Sequence, residues 1–416
     1  MTGGIGALLA AAALVPAHVL SWYYYGLNGV NASVPAAVMV RYADFVEDDG
    51  FSAEHAMAFK RAGGRWATAY TDPAYVPYCH PPFAPPGGHC EGPIGDLVTS
   101  EDAWFHGPDG TRVRRYVDKE FDHQEALNPA SASARRAWRN KTERLLRAAP
   151  ALDFLFADDS GSPLRAGDMS PTSAWFYGFN TGGVEITGDA AFRDAWIAYL
   201  STATLPVIVN GADPVTGLPA YDGAFLRAPR VLGAAQENCF NSSTGITTDA
   251  HDRWRYHADG LLATTRLHRW AACFMTGRPT QANRMYTLAS WWITYDPDLS
   301  IAAPLEPVEK SSLLPELDIV PREPIRSAHE HARELRTDGG AYVREFRSCY
   351  QREAPLGGCA AIVNSTASTL PLPRLEGRYG QTLALEGADV VAGGRATWRR
   401  GVPATLAPGS ALIVAR

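Results

Sequence analysis

The strongest constraint on the fold is a regular exchange of short apolar runs with amphipathic stretches over the first three quarters of the chain. Strand-like runs fall at 19–26 (VLSWYYYG), 38–46 (VMVRYADFV), 65–70 (RWATAY), 154–158 (FLFAD), 205–211 (LPVIVNG), 230–238 (RVLGAAQEN), 271–277 (AACFMTG) and 301–306 (IAAPLE). Helical patterns lie between most of them. One opens at Ser52 and closes at Gly63-Gly64. Others cover 131–149, 190–200, 252–269 and 281–293, and in the first of these Ala134, Trp138, Leu145 and Leu146 share a face. Such alternation over roughly 290 residues is the size of a (β/α)8 TIM barrel with insertions. A doubly wound open sheet would alternate in the same way, but it more often carries a Gly-rich turn after its first strand, and none is present. The expected barrel spans 19–335, with an insertion at about 73–128. Past Gly339 the pattern changes to short alternating runs split by Gly, Pro and Ser. This predicts a small C-terminal all-β sandwich over 336–416, with Pro321–Arg336 as the connection.

A chain of 416 residues buries a large core, and 46% hydrophobic with 20% charged residues is a globular composition. A net charge of −6 argues against nucleic acid as a partner, since that footprint is basic. Residues 1–18 contain the run IGALLAAAALVPA, too short for a membrane span and suited to a signal-peptide core. No other stretch is long and apolar enough to cross a membrane as a helix, so the expected location is secreted or periplasmic. Six cysteines agree with export. Cys79/Cys90 and Cys349/Cys359 have spacings that suit local disulfides. Cys239 and Cys273 either bond or are buried small hydrophobes. Cys79, His80, His89 and Cys90 also form a mirrored quartet that offers zinc ligands, although structural zinc sites usually space theirs more closely.

In a barrel the chemistry gathers at the C-terminal ends of the strands. In order, those ends supply Tyr24, Tyr25 and Asn28; Asp44; Tyr70 and Asp72; Asp158 and Asp159; Asn210 and Asp213; and Gln236, Glu237 and Asn238. A buried strand has no structural use for two adjacent carboxylates at its tip, because uncompensated charge in an apolar setting is costly. Asp158 and Glu237 are the candidate catalytic pair. Glycosidic cleavage needs one carboxylic acid to protonate the departing oxygen and a second carboxylate to attack the anomeric carbon or activate water. Asp159, Asp44, Asp72, Asn210 and Asn238 are candidates for holding substrate hydroxyls, and Tyr24 and Tyr70 for stacking on sugar rings. A plainer reading stands beside each. A lone Asp at a strand end caps a helix or pins a turn, and Trp22, Tyr24 and Tyr70 serve equally well in a core. His251 and His257, in HDRWRYH, read as members of an exposed helix.

Several segments resemble known proteins. DFLFADDS resembles the apolar run plus Asp that closes strand four in several glycoside hydrolase clans. RMYTLASWWITYDPDLSIA is similar to a segment late in the barrel of glycosidase-like TIM-barrel families. The closing GGCAAIVNSTASTLPLP…LAPGSALIVAR looks like the β-sandwich that follows the barrel in many such enzymes. No single family is matched residue by residue. The resemblance implies a glycoside hydrolase acting on a polysaccharide or oligosaccharide, with Asp158 and Glu237 as nucleophile or base and acid/base. No cofactor or metal is expected, since Walker, dinucleotide-fingerprint, H-E-x-x-H and G-x-S-x-G motifs are all missing. Two alternatives remain at this point. One is a glycan-binding barrel without turnover. The other is a metal-dependent polysaccharide deacetylase, which would need histidines one helical turn apart; His329 and His331 have the wrong spacing.

Overall fold

A computed structural model of the chain describes residues 18–22, 34–48, 54–73, 75–77, 97–98, 100–104, 112, 114–117, 121–158, 189–210, 226, 228–236, 238–242, 245–249, 253–275, 280–304, 308–326, 331–352 and 354–416. The leader segment, the Cys79–Cys90 loop with its zinc quartet, and Tyr24, Asp159 and Glu237 lie outside these residues. Barrel strands are β1 (His18–Trp22), β2 (Phe45–Asp48), β3 (Trp66–Thr71), β4 (Phe154–Ala157), β5 (Val207–Asn210), β6 (Val231–Gln236), β7 (Trp270–Met275) and β8 (Ser300–Pro304). Neighbours pair in parallel in the order β1-β8-β7-β6-β5-β4-β3-β2, and β1 pairs with β2 as well as β8, which closes the barrel. The strands are Val-, Phe- and Ala-rich, as buried parallel strands are.

The helical layer is less regular than a strict eightfold repeat. Helices α1 (Ala36–Met39), α2 (Glu54–Arg61), α3 (Ala132–Ala148), α4 (Asp189–Leu200), α5 (Arg253–Arg266) and α6 (Gln281–Thr294) are present among the described residues. None is described between β5 and β6, and β8 leads into the C-terminal sheet. Local chemistry sets the helix ends. Ser131 accepts from the N–H groups of Ser133 and Ala134 to cap α3, and Thr280 accepts from that of Asn283 to cap α6. Gly63, at φ +96°, turns the chain after α2 in the left-handed region that glycine occupies without penalty. The insertion after β3 carries its own antiparallel sheet of Tyr75–Pro77, Phe121–Ala126 and Arg114–Val117.

Two expectations are corrected here. The run 38–46 is not a strand. Pro35 and the two alanines after it start α1, and the strand begins only at Phe45. Asp44 therefore precedes β2 and sits at the N-terminal rim, where its carboxylate accepts from the N–H of Val19 at 2.9 Å. The presumed connection 321–336 also contains a strand. β9 (Ile319–Pro324) forms the edge of an antiparallel sheet with β10 (Tyr342–Gln351), β11 (Ala354–Asn364), β12 (Gln381–Glu386), β13 (Arg395–Arg400) and β14 (Ser410–Ala415), in the order β9-β10-β11-β14-β12-β13. Its two prolines are tolerated because an edge strand leaves one side of its backbone unpaired. A two-stranded ribbon, Leu370–Pro371 with Thr405–Leu406, accompanies this sheet. The Cys349–Cys359 disulfide bonds β10 to β11, and Cys239 is bonded to Cys273.

Helix α6 joins the two units. Arg284 and every residue from Tyr286 to Thr294 are buried, so the helix has almost no solvent face and lies between barrel and sheet. Trp254 of α5 stacks on Tyr342 at 4.0 Å between ring centroids, and Trp292 meets Phe346 edge-on at 5.9 Å. At one end of α6 the Arg284 guanidinium donates to both carboxylate oxygens of Glu316 (2.7 and 2.5 Å) and to the carbonyls of Gly387 and Ala388 (3.1 Å each). Only 4% and 1% of the two side chains are exposed, so each charge depends on the other. Asp389 adds a second tie, accepting from the N–H groups of Glu309, Lys310 and Ser311.

Breaking one side of this buried pair leaves an uncompensated charge. Arg284→Met should lower unfolding stability by about 3–5 kcal/mol. The double change Arg284→Met/Glu316→Leu should recover much of that loss, and denaturant titration of both variants measures it. Equal losses in the single and double variants would contradict the account.

Candidate active site

Side chains alternate across the barrel wall, so every second residue of a strand points inward. The inward set near the strand starts is aromatic. Phe45 lies 5.9 Å from Phe154 and 5.2 Å from Trp270, and Trp66 lies 5.7 Å from Trp270. A second tier holds Phe156 and Phe274, 5.1 Å apart. These rings join Ile208, Ala235, Ala272, Ile301 and Ala303 in one interior cluster. They fill much of the lower barrel.

At the C-terminal end the same parity brings three predicted residues together. β3 presents Tyr70, β5 presents Asn210, and Asp158 follows β4. The Tyr70 hydroxyl donates to one Asp158 oxygen and the Asn210 amide to the other, both at 2.5 Å. Strand register accounts for the match, because Tyr70 pairs with Phe156 and Val209 with Ala157, one step short of Asn210 and Asp158. Asn210 is buried, and Asp158 and Tyr70 are partly exposed. The Tyr70 ring packs on Phe156 at 6.1 Å, so the residue acts as core through its ring and as a donor through its hydroxyl.

Three other predicted residues fall among the described ones: Asp72, Asn238 and Asp44. Asp72 is buried directly after β3. Its carbonyl accepts from Lys141 of α3 at 3.4 Å. Burial, and then the Asp72 charge, push the Tyr199 hydroxyl of α4 well above the usual phenol range. Asn238 is an exposed turn residue at φ 49°. Asp44 is at the opposite rim, where barrel residues serve stability rather than chemistry. His331, half-exposed beside Asp259 of α5 at 3.9 Å, stands on the outer layer.

The turn after β6 carries features that the sequence reading missed. Asn238 and Phe240 both adopt positive φ (49° and 57°), which is strained for residues with a Cβ. Several contacts hold the turn in that shape. Cys239 is bonded to Cys273 of β7, and its N–H donates to the carbonyl of Phe274. The Phe240 N–H donates to Nδ1 of His257 at 2.9 Å, and the Asn241 amide donates to Thr287 Oγ1 at 2.7 Å. His257 is therefore not on an exposed face, since it is 2% exposed and points back at the turn. Its spacing from Trp254 and Leu261 put it on the buried stripe of α5 and was the readable signal. Gln236, the last residue of β6, is buried, and neither atom of its amide has a hydrogen-bond partner among the described residues.

No protein-family profile matches the chain, and no curated protein matches it in sequence. Among solved structures it is similar to the isomaltulose synthase PalI from Klebsiella sp. LX3, with 8% identity and a TM-score of 0.48 over 96% of this chain and 98% of that one. It is also similar to the α-galactosidase TtGalA from Thermus thermophilus, with 14% identity and a TM-score of 0.41 over 82% and 66%. Aspergillus fumigatus Ega3, solved with galactosamine, has 11% identity and a TM-score of 0.36 over 64% and 77%. At these scores the likeness carries no functional weight.

Burial, with the Arg253 charge second, lowers the His257 pKa from the usual 6.5 to about 4. The folded state thus favours the neutral ring, which accepts the Phe240 N–H. That stability is complete above pH 6.5, declines as pH falls through the interval down to about 4, and amounts to about 3 kcal/mol. His257→Gln should flatten this part of the stability–pH profile, as followed by urea unfolding between pH 7 and 4. An unchanged profile would show that the ring does not carry it.

Proposed function

We propose that this protein is an exported glycoside hydrolase that cleaves glycosidic bonds in a polysaccharide or oligosaccharide. One observation carries the reading: Asp158, at the C-terminal mouth of a barrel whose lower half is largely filled with rings, accepts a hydrogen bond on each oxygen. Donors aimed at both oxygens suit a carboxylate that works as the anion and fix the direction in which its lone pairs point. In this role Asp158 either attacks the anomeric carbon or takes a proton from the attacking water. Tyr70 and Asn210 are its positioning residues.

Glu237, which follows β6 in the sequence, is assigned as the partner that protonates the departing oxygen and later accepts a proton from water. The strained, heavily anchored turn at 238–241 supports this assignment, because strain of that kind persists where it serves to position a neighbour. Asp72, Asp159, Asn238 and Tyr24 are assigned to the substrate cleft. Asp44 is left out of the site, since it precedes its strand and bonds Val19. Two disulfides support folding in an oxidising compartment.

Screening a neutral and acidic glycan panel for reducing-end release tests the reading. Asp158→Asn and Glu237→Gln should each lower turnover by at least about 100-fold, and Tyr70→Phe by less. NMR of the first-formed anomer then reports the mechanism. Retention corresponds to carboxyl groups about 5–5.5 Å apart and inversion to about 6.5–9.5 Å. Near wild-type turnover in both carboxylate variants would refute the assignment. Glycan binding without turnover in the wild type would favour a non-catalytic barrel.

A further inference from the structure

A second site is suggested by the outer wall of the barrel, away from the mouth. A cleft of about 440 Å³ lies where α3 meets the segment entering β5 and the turn entering β6. Arg135, Arg136 and Arg139 line it from α3, Arg230 from the turn, and Thr202 and Thr204 from the segment. Thr204 stands three residues before β5, and Arg230 stands immediately before β6. The cleft is therefore bordered by the starts of strands whose other ends carry Asn210 and Gln236.

The charge in this cleft is poorly offset. In a chain of net charge −6, four guanidiniums share one concavity. Among the described residues only Arg139 has an ion pair, with Glu143 at 3.0 Å. Arg135 is steered by its Nε, which donates to the carbonyl of Pro129 at 2.8 Å. Arg230 reaches the carbonyl of Thr204 at 3.4 Å. Asp102 acts on Arg136 only through its charge. Like charges gathered on one concavity repel one another, a cost that a bound anion would relieve. A second observation points the same way. The Thr204 hydroxyl oxygen is buried and has no hydrogen-bond partner among the described residues, although its own N–H is used by Thr142. A hydroxyl without a protein partner beside a cleft keeps hydrogen-bonding capacity for a ligand or water. Guanidinium forks beside a free hydroxyl match the oxygens of a tetrahedral oxyanion.

We propose that this cleft is an anion-binding site that takes a phosphate or sulfate group, either free in solution or carried on a glycan chain. The proposal is independent of the catalytic reading, since none of its residues borders Asp158. Isothermal titration of the whole protein with sodium phosphate and sodium sulfate, against sodium chloride at matched ionic strength, is the direct test. Saturable binding is expected in the wild type. The dissociation constant should rise at least about tenfold in Arg135→Gln/Arg230→Gln, with circular dichroism unchanged. Arg136→Gln/Arg139→Gln, at exposed guanidiniums, provides a second charge variant, and Thr204→Val removes the hydroxyl while keeping every charge. A sulfated hexasaccharide that binds more tightly than sulfate, and weakens by the same factor in the charge variants, identifies a glycan-borne group; equal affinity identifies the free ion. No saturable heat in the wild type at matched ionic strength, or binding as tight in both charge variants as in the wild type, overturns the proposal.

Discussion

The two-residue period of a strand, imposed on a closed parallel sheet, is the constraint from which the rest of this structure follows. Once the sheet closes, every strand must divide its side chains between a narrow interior and a helical shell. Phe45, Trp66, Phe154 and Trp270 fall on the inward phase and fill the floor. The outward phase, including Ala67, Ala69, Leu155, Ala157, Val207 and Val209, packs in the cluster under the helices. A polar side chain on the inward phase above the second ring tier can meet only the polar residues of neighbouring strands. Tyr70, Asp158 and Asn210 meet for this reason, and not through any local sequence relationship.

Barrel and C-terminal sheet share core through α6, which inserts its aromatic residues into both. One face of the sheet, with Tyr342, Phe346, Ala361 and Ile413, joins the cluster containing Trp291, Trp292 and Cys273. The same cluster contains Cys239 and Phe240. The turn after β6 is thus built into the core that barrel and sheet share. A catalytic group placed beside that turn would be held by a rigid support, which electrostatic catalysis requires. In this arrangement the sheet braces the barrel.

Much of the fold was legible because strands and helices announce themselves by period. Helices at 131–149, 190–200, 252–269 and 281–293 match α3 to α6 within a few residues, and the strand-ending Asp158 and Asn210 were found as strand ends. The run 38–46 misled because apolar residues there satisfy either period, and only the pairing of Phe45 with Trp66 fixes where β2 begins. That shift of a few residues moved Asp44 from one rim of the barrel to the other. His257 was misread because a charged neighbourhood in sequence says nothing about which stripe of a helix is buried.

By itself the sequence determined most of the elements and their order, the separate β-rich end and the unusual carboxylates at a strand tip. These depend on local periodicity, turn residues and the cost of burying charge, all of which are properties of contiguous residues. Tertiary structure alone decided that Tyr70 and Asn210 belong to Asp158, that Cys239 bonds Cys273, that Arg284 needs Glu316, and that four arginines share one cleft. Each of those joins residues brought together by register or packing, and neither is fixed until the sheet has closed.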